Sequence, residues 1–349
     1  MALKSLPLND LAKHVILAPH VVLLGAGASR AAFPNGDRSR RLPLMNDIVE
    51  VLQIGPLLER AGISDSNLEG VYDVLARTPA YSEIRAELES TIDRYFSSLS
   101  LPDLVTAYDE LLLCLRPKDI VATFNWDPLL VQAYRRNAHL RDLPYIAFLH
   151  GNVSIGSCAK DRQKGYSWQS CVVCGAPLQR SPLLFPIRDK NYRRDPFIAN
   201  EWAELEVRLK QAFIFTIFGY SAPAADAAAR ELLHQYVGGN PSWEFAQVEL
   251  VDIRERKELE DSWQTLFVRQ HYGITRSIRS TEAFMFPRRS CDALAGAILQ
   301  QDPWHERPLP PFENLLDLQR WVGPLIDEEH AYEDSGVPFR IWRANTTSS

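Results

Sequence analysis

No apolar run in this chain approaches the roughly 20 consecutive residues that span a bilayer, and Met1–His20 lacks a continuous hydrophobic region followed by a cleavage site. These absences predict no membrane partner and a cytoplasmic location. Basic residues do not dominate: 38 Lys and Arg stand against 44 Asp and Glu, a net charge of −6, and long basic runs are missing. That balance argues against direct nucleic-acid binding as the main function, leaving only a local patch at Arg38, Arg40 and Arg41. Cysteine is scarce. The five in 349 residues look unlike a disulfide scaffold, and the cluster at 158, 171 and 174 looks more like a metal site in a reducing compartment. With 46% apolar and 23% charged residues, neither disorder nor a fibrous repeat is suggested, and the length suits one large or two moderate domains.

What the chain does have is an unbroken apolar run, Val21–Leu24, that stops in Gly25-Ala26-Gly27-Ala28-Ser29-Arg30. This reads as a buried parallel strand entering a tight turn able to bring backbone N–H groups against a phosphate. An amphipathic stretch at Leu11–Leu17 precedes it, and a polar turn segment, Pro34–Arg38, follows it as a candidate flap. Residues 42–116 read as a helical insertion, with breaks at Pro56, Gly62, Pro79 and Pro102. Further strands are expected at Asp119–Phe124, Tyr145–Leu149, Leu183–Ile187, Phe213–Gly219 and Val248–Asp252, with helices near 196–211 and 223–237. Alternation of strands and helices predicts an α/β fold, a parallel sheet with helices on both faces. Residues 152–181, rich in Gly, Ser, Cys and Gln, read as a small irregular module. The region with Thr265–Val268, Ile278 and a helix near Asp292–Gln300 closes the fold less legibly, and the tail from Asn345 reads as frayed.

In an open parallel sheet ligands bind beyond the carboxyl ends of the strands. The residues at those ends are Gly25 to Ser29, Asn125 with Asp127, His150, Gly219 with Ser221, and Asp252. Each also has a purely structural explanation: small residues for a strand-to-helix turn, an Asn N-cap, an acid favouring the helix dipole, a satisfied histidine. Arg30 occupies the place of the third glycine of a dinucleotide fingerprint, so the turn is not that of a standard dehydrogenase.

Taken together, Gly25-Ala-Gly-Ala-Ser29, Thr123-Phe-Asn-Trp-Asp127, Leu149-His-Gly151, the three cysteines and Gly219-Tyr-Ser221 resemble, in that order, the sirtuin-like NAD-consuming family, over roughly residues 20–255. The resemblance implies a single Rossmann-like domain over 1–349 with the helical insertion and a small zinc-ribbon-like module. It implies NAD as substrate, Asn125 orienting the nicotinamide ribose or a water, Asp127 positioning its neighbours and His150 as general base. Gly25, Ala26, Gly27 and Ser29 would receive the pyrophosphate, with Gly219 and Ser221 on its other side, and Asp252 would hold the adenosine ribose. Structural Zn2+ is implied at Cys158, Asp161, Cys171 and Cys174, with Asp161 where a cysteine is expected; a module held by packing alone is the other reading.

Two departures bear on the activity. The Phe-Gly-Glu element that holds an acyl-lysine peptide in sirtuin deacylases is replaced by Phe185-Pro186-Ile187, and their Pro-Asp-Phe-Arg flap by Pro34-Asn35-Gly36-Asp37-Arg38. The chain looks more like bacterial antiphage sirtuin-like effectors that hydrolyse NAD. That likeness implies an NAD+ glycohydrolase controlled by homo-oligomerisation or by a defence partner, an ATPase or a nucleic-acid-guided sensor. Two alternatives stand beside it: a protein deacylase or ADP-ribosyltransferase, and a non-catalytic subunit that senses NAD or ADP-ribose.

Overall fold

The computed structural model describes residues 17–36, 40–187, 190–223, 226–240, 246–267, 271–298 and 306–334. The amphipathic stretch at Leu11–Leu17, except Leu17 itself, lies outside the described residues, as do Asp37 and Arg38 of the polar turn, Val268 and the tail.

Six parallel strands build the main sheet: β1 (His20–Leu24), β2 (Ile120–Thr123), β3 (Tyr145–Phe148), β7 (Ile214–Phe218), β8 (Gln247–Val251) and β9 (His271–Thr275). Their spatial order is β3-β2-β1-β7-β8-β9, the doubly wound order in which the chain reverses direction across the sheet between β1 and β7. β1 is buried throughout because alternate residues feed two separate cores. Val22 and Leu24 pack with Val121, Phe148 and the helices of the insertion, whereas Val21 and Leu23 pack with Ile120, Ala122, Ala147 and the helices Pro196–Leu209 and Ala227–Gly238. Period-two alternation thus serves both faces, which is why the strand reads as a continuous apolar run.

Between β1 and β2 the chain is helical, chiefly Ala26–Ala32, Leu68–Arg77, Ser82–Ser97 and Ala107–Cys114. Short strands β4 (Ile155–Ser157), β5 (Lys164–Tyr166) and β6 (Gln179–Arg180) form a second, antiparallel sheet in the order β5-β4-β6. Lys164 fastens this sheet to the exposed edge of β3. Its Nζ donates to Ile146 O at 2.6 Å and to Glu201, whose Oε2 accepts from Phe148 N–H at 2.8 Å. Edge groups of β3 that would otherwise be open to strand addition are capped.

The segment Leu183–Ile187 is not a strand. Phe185 stacks on Tyr72 at 4.8 Å and packs on Trp126 at 5.0 Å, while Leu184 N–H donates to His150 O at 2.9 Å, so this apolar run covers the strand ends. The helix Arg256–Phe267 occupies most of the apolar stretch Thr265–Val268, and a long helix, Leu315–Asp334, closes the fold. The latter is anchored by buried ion pairs of Glu329 with Arg288 at 2.7 Å and Arg116 at 3.1 Å. Among the described residues no helix is long and apolar enough to cross a membrane.

Candidate functional site

The site forms where the order of the sheet reverses. Gly25 closes β1 as the N-cap of the helix Ala26–Ala32, so the glycine turn is a helix start with no intervening loop. Across it lies Gly219, at the end of β7, with a φ of +63°. The two turns interlock: Gly27 N–H donates to Gly219 O at 3.0 Å, and Gly25 N–H to Phe218 O at 3.0 Å. A Cβ on Gly25 would sit 2.5 Å from Gly219 O, and one on Gly219 2.2 Å from Ala28 N. Glycine is required here by the close approach of two backbones. Because Ala28 N–H is also turned inward, to Gly25 O at 3.0 Å, Ala26 carries the N–H of this turn that no partner takes among the described residues.

Ser29, one turn into that helix, is 1% exposed and lies at the centre of a polar network. Its hydroxyl donates to Asp127 Oδ2 at 2.6 Å, shares a 2.6 Å bond with the Tyr108 hydroxyl and accepts from Asn125 Nδ2 at 2.8 Å. Asn125 Nδ2 also donates to Gly25 O at 2.8 Å. Both amide hydrogens of Asn125 are therefore spent within the fold, and among the described residues nothing donates to its Oδ1. Asp127 accepts Leu129 N–H at 3.1 Å through its other oxygen, starting the helix Leu129–Asn137. Burial raises its pKa above the usual carboxylate range, and the bonds from Ser29 and Leu129 partly offset this.

His150 follows β3 and is likewise buried. Its Nε2 shares a 3.1 Å hydrogen bond with the Tyr192 hydroxyl, and the two rings are nearly parallel at 5.7 Å. Phe124 packs on the imidazole at 4.6 Å and on Tyr220 at 4.4 Å. Burial first, and then the Lys190 ammonium, push the His150 pKa well below its ordinary value, so the ring is neutral. Lys190 forms a close ion pair with Asp226, which also accepts from the Tyr220 hydroxyl at 3.1 Å. Asn152 ties the His150 turn to the Asn125 turn, donating from Nδ2 to Asp127 O at 2.6 Å.

The structure therefore brings Gly25, Ala26, Gly27, Ser29, Asn125, Asp127 and Gly219 into one network, with His150 joined to it through Asn152. Ser221 lies on the same β7 turn and is exposed. Asp252 stands one strand further out, beyond β8, paired with Arg254 at 2.9 Å. Tyr108, Asn152, Tyr192 and Lys190 escaped sequence reasoning. Tyr108 lies on an insertion helix and Tyr192 and Lys190 on an irregular segment, so no strand-end pattern marks them, whereas Asn152 falls two residues after a marked strand end.

The four residues of the cysteine cluster also converge. The ligand atoms of Cys158, Asp161, Cys171 and Cys174 all lie within 4.8 Å of one another. Cys158 Sγ is 3.6 Å from Cys174 Sγ and 3.5 Å from Asp161 Oδ2, and Cys171 Sγ is 3.3 Å from the same oxygen. The cysteines are free, and the sulfur separation is far beyond the roughly 2 Å of a disulfide. Three sulfurs and one carboxylate at the edge lengths of a small tetrahedron suit zinc, which accepts both donor types in four-coordinate sites.

No protein-family model and no curated protein matches the sequence. Solved structures do. A Sir2 homolog–NAD complex matches with a TM-score of 0.38 at 14% identity, over 85% of this chain and 98% of the other. A Sir2 with deacetylated p53 peptide and 3'-O-acetyl ADP-ribose matches at 0.37 and 16%, over 78% and 94%. A mutant Sir2 homologue–ADP-ribose complex gives 0.35 and 14%, over 84% and 98%.

Proposed function

We propose that this cleft binds NAD and hydrolyses its nicotinamide–ribose bond, releasing nicotinamide and ADP-ribose. The observation that carries the proposal is Asn125: its nitrogen is locked by Gly25 and Ser29, so its Oδ1 is held as an oriented acceptor at the switch point, beside a neutral imidazole. In NAD the nicotinamide is a cationic leaving group that departs neutral, so its exit needs little protonation. Cleavage needs an oxocarbenium-like state held in an oriented pocket with limited water. Asn125 Oδ1 orients a ribose hydroxyl or the attacking water. Asp127 acts through Ser29 by fixing that amide, and neutral His150 accepts the proton as water adds to the anomeric carbon. Ala26 N–H, at the start of a helix, and Ser221 flank the pyrophosphate, while Gly25, Gly27 and Gly219 let the backbone come close. Asp252 takes the adenosine ribose.

The surroundings of His150 favour water over a peptide as acceptor. Phe124 and Tyr192 pack on it, Tyr220 backs Phe124 and Trp202 backs Tyr192, and its Nε2 already shares a hydrogen bond with the Tyr192 hydroxyl. Free hydrolysis of NAD harms the cell that carries it, which fits the antiphage effector role implied by the motifs and requires restraint by an oligomer or a defence partner. Purified protein incubated with NAD should release nicotinamide without any peptide, and Asn125→Ala and His150→Ala should each remove that activity. If both variants match an active parent, the site is misassigned. Tight binding of NAD with no nicotinamide released, alone or with the cognate partner, would favour the sensing reading.

A further inference from the structure

Arg254 has no part in the scheme above, yet it controls how Asp252 is presented. Asp252 closes β8, next to the β7 turn that interlocks with Gly25 and Gly27. Its Oδ1 accepts the backbone N–H of Arg254 at 3.0 Å, and its Oδ2 accepts from Arg254 Nε at 3.2 Å and Nη2 at 2.9 Å. The remaining arm, Nη1, reaches Glu258 at 3.4 Å. Both partners stay within reach of a ligand, with side-chain exposures of 22% for Arg254 and 13% for Asp252. Between them Ile253 is 81% exposed, a large aliphatic surface in water at the end of a buried strand.

In dinucleotide-binding folds an acid at the end of the strand that follows the glycine turn bonds a ribose hydroxyl, whereas an arginine nearby accommodates a 2'-phosphate; Asp252 stands at the end of the strand that follows the Gly219 turn. Here one three-residue turn holds both, and each occupies the other. A carboxylate oxygen bound by a guanidinium keeps a second lone pair for a ribose hydroxyl. A 2'-phosphate would meet the Asp252 charge with the neighbouring guanidinium already spent.

Resting on the NAD reading of the cleft, we propose that the Asp252–Arg254 pair selects the dinucleotide: Asp252, held by Arg254, accepts the adenosine ribose hydroxyls and rejects a 2'-phosphate, with Ile253 as the apolar platform beside the adenine. Arg254 is the positioning residue of this selection, and releasing it reverses the preference. ADP-ribose and 2'-phospho-ADP-ribose test this by isothermal titration, because neither contains the bond to be cut and binding is read apart from turnover. The wild-type chain should bind ADP-ribose at least about tenfold more tightly than its 2'-phosphate. Asp252→Asn, close in shape to the parent, should bring the ratio to about one or below by freeing the guanidinium. Adding Arg254→Ala to that variant should abolish the gain. Equal wild-type affinities, or a ratio unmoved by Asp252→Asn, would overturn the selection while leaving NAD binding intact. Failure of the wild-type chain to bind either ligand would overturn both the selection and the NAD reading.

Discussion

Replacing Gly219 with alanine places a methyl group 2.2 Å from Ala28 N, 2.5 Å from Gly27 C and 2.7 Å from Gly27 Cα. All three are backbone atoms of the opposing turn, so no side chain can swing aside. Three costs follow: about 1 kcal/mol for holding a non-glycine residue at φ +63°, about 1–3 kcal/mol for overpacking, and about 1 kcal/mol if the turns separate enough to lose the bond from Gly27 N–H to Gly219 O. A destabilisation of about 3–5 kcal/mol is expected, a large part of the 5–15 kcal/mol that typically holds a domain together. Urea unfolding measures it, with Gly273→Ala as the control. Gly273 lies in the edge strand β9, where an added Cβ has open space, so that change should fall within about 0.5 kcal/mol of neutral. If Gly219→Ala also unfolds within about 1 kcal/mol of the parent, the close approach of the Gly25 and Gly219 turns is not a requirement of the fold.

Tyr192→Phe keeps the ring on His150 but removes its hydroxyl partner. Nicotinamide release should fall about tenfold in kcat with little change in KM, read by steady-state kinetics. Because burial and Lys190 push the His150 pKa well below its ordinary value of 6.5, the acid limb of the pH–rate profile should lie well below that value, and a limb at or above pH 6.5 would contradict that environment. Glu249, buried and bonded to Thr216, has its pKa pushed up from 4.5 to about 7. Between those values the folded chain keeps a proton that the unfolded chain has released, so stability falls as pH rises through the window. Glu249→Gln should therefore raise stability at pH 8 by at most about 3 kcal/mol and change little at pH 4, as urea midpoints would show. A strong chelator should lower the melting temperature and release about one zinc per chain, and Asp161→Ala should lower the zinc content measured by atomic absorption.

Much of the sheet was legible because its central strands are buried on both faces. His20–Leu24, Ile120–Thr123 and Ile214–Phe218 therefore stand out as apolar runs. The strand His271–Thr275 did not, since it lies at the sheet edge and none of its five residues is buried. Leu183–Ile187 misled for the opposite reason: its apolar side chains pack over the strand ends, with Phe185 on Tyr72 and Trp126, while its backbone forms no strand. The helix Leu315–Asp334 was hidden by Pro324 inside it. At the site, Ser29, Asn125, Asp127 and His150 were visible because each sits at a strand end. The sequence could not show that Gly27 spends its N–H on Gly219, or that Tyr108 and Tyr192 supply the hydroxyls bonded to Ser29 and His150. Those contacts join distant segments, and no local pattern encodes them.

The central claim is tested most directly by a chromatographic time course of NAD with the wild-type protein and no peptide, run with the protein alone and with its cognate partner. The account predicts nicotinamide and ADP-ribose appearing in equal amounts at the expense of NAD. NAD left intact in both conditions, or nicotinamide that appears only when an acyl-lysine peptide is added, would contradict it.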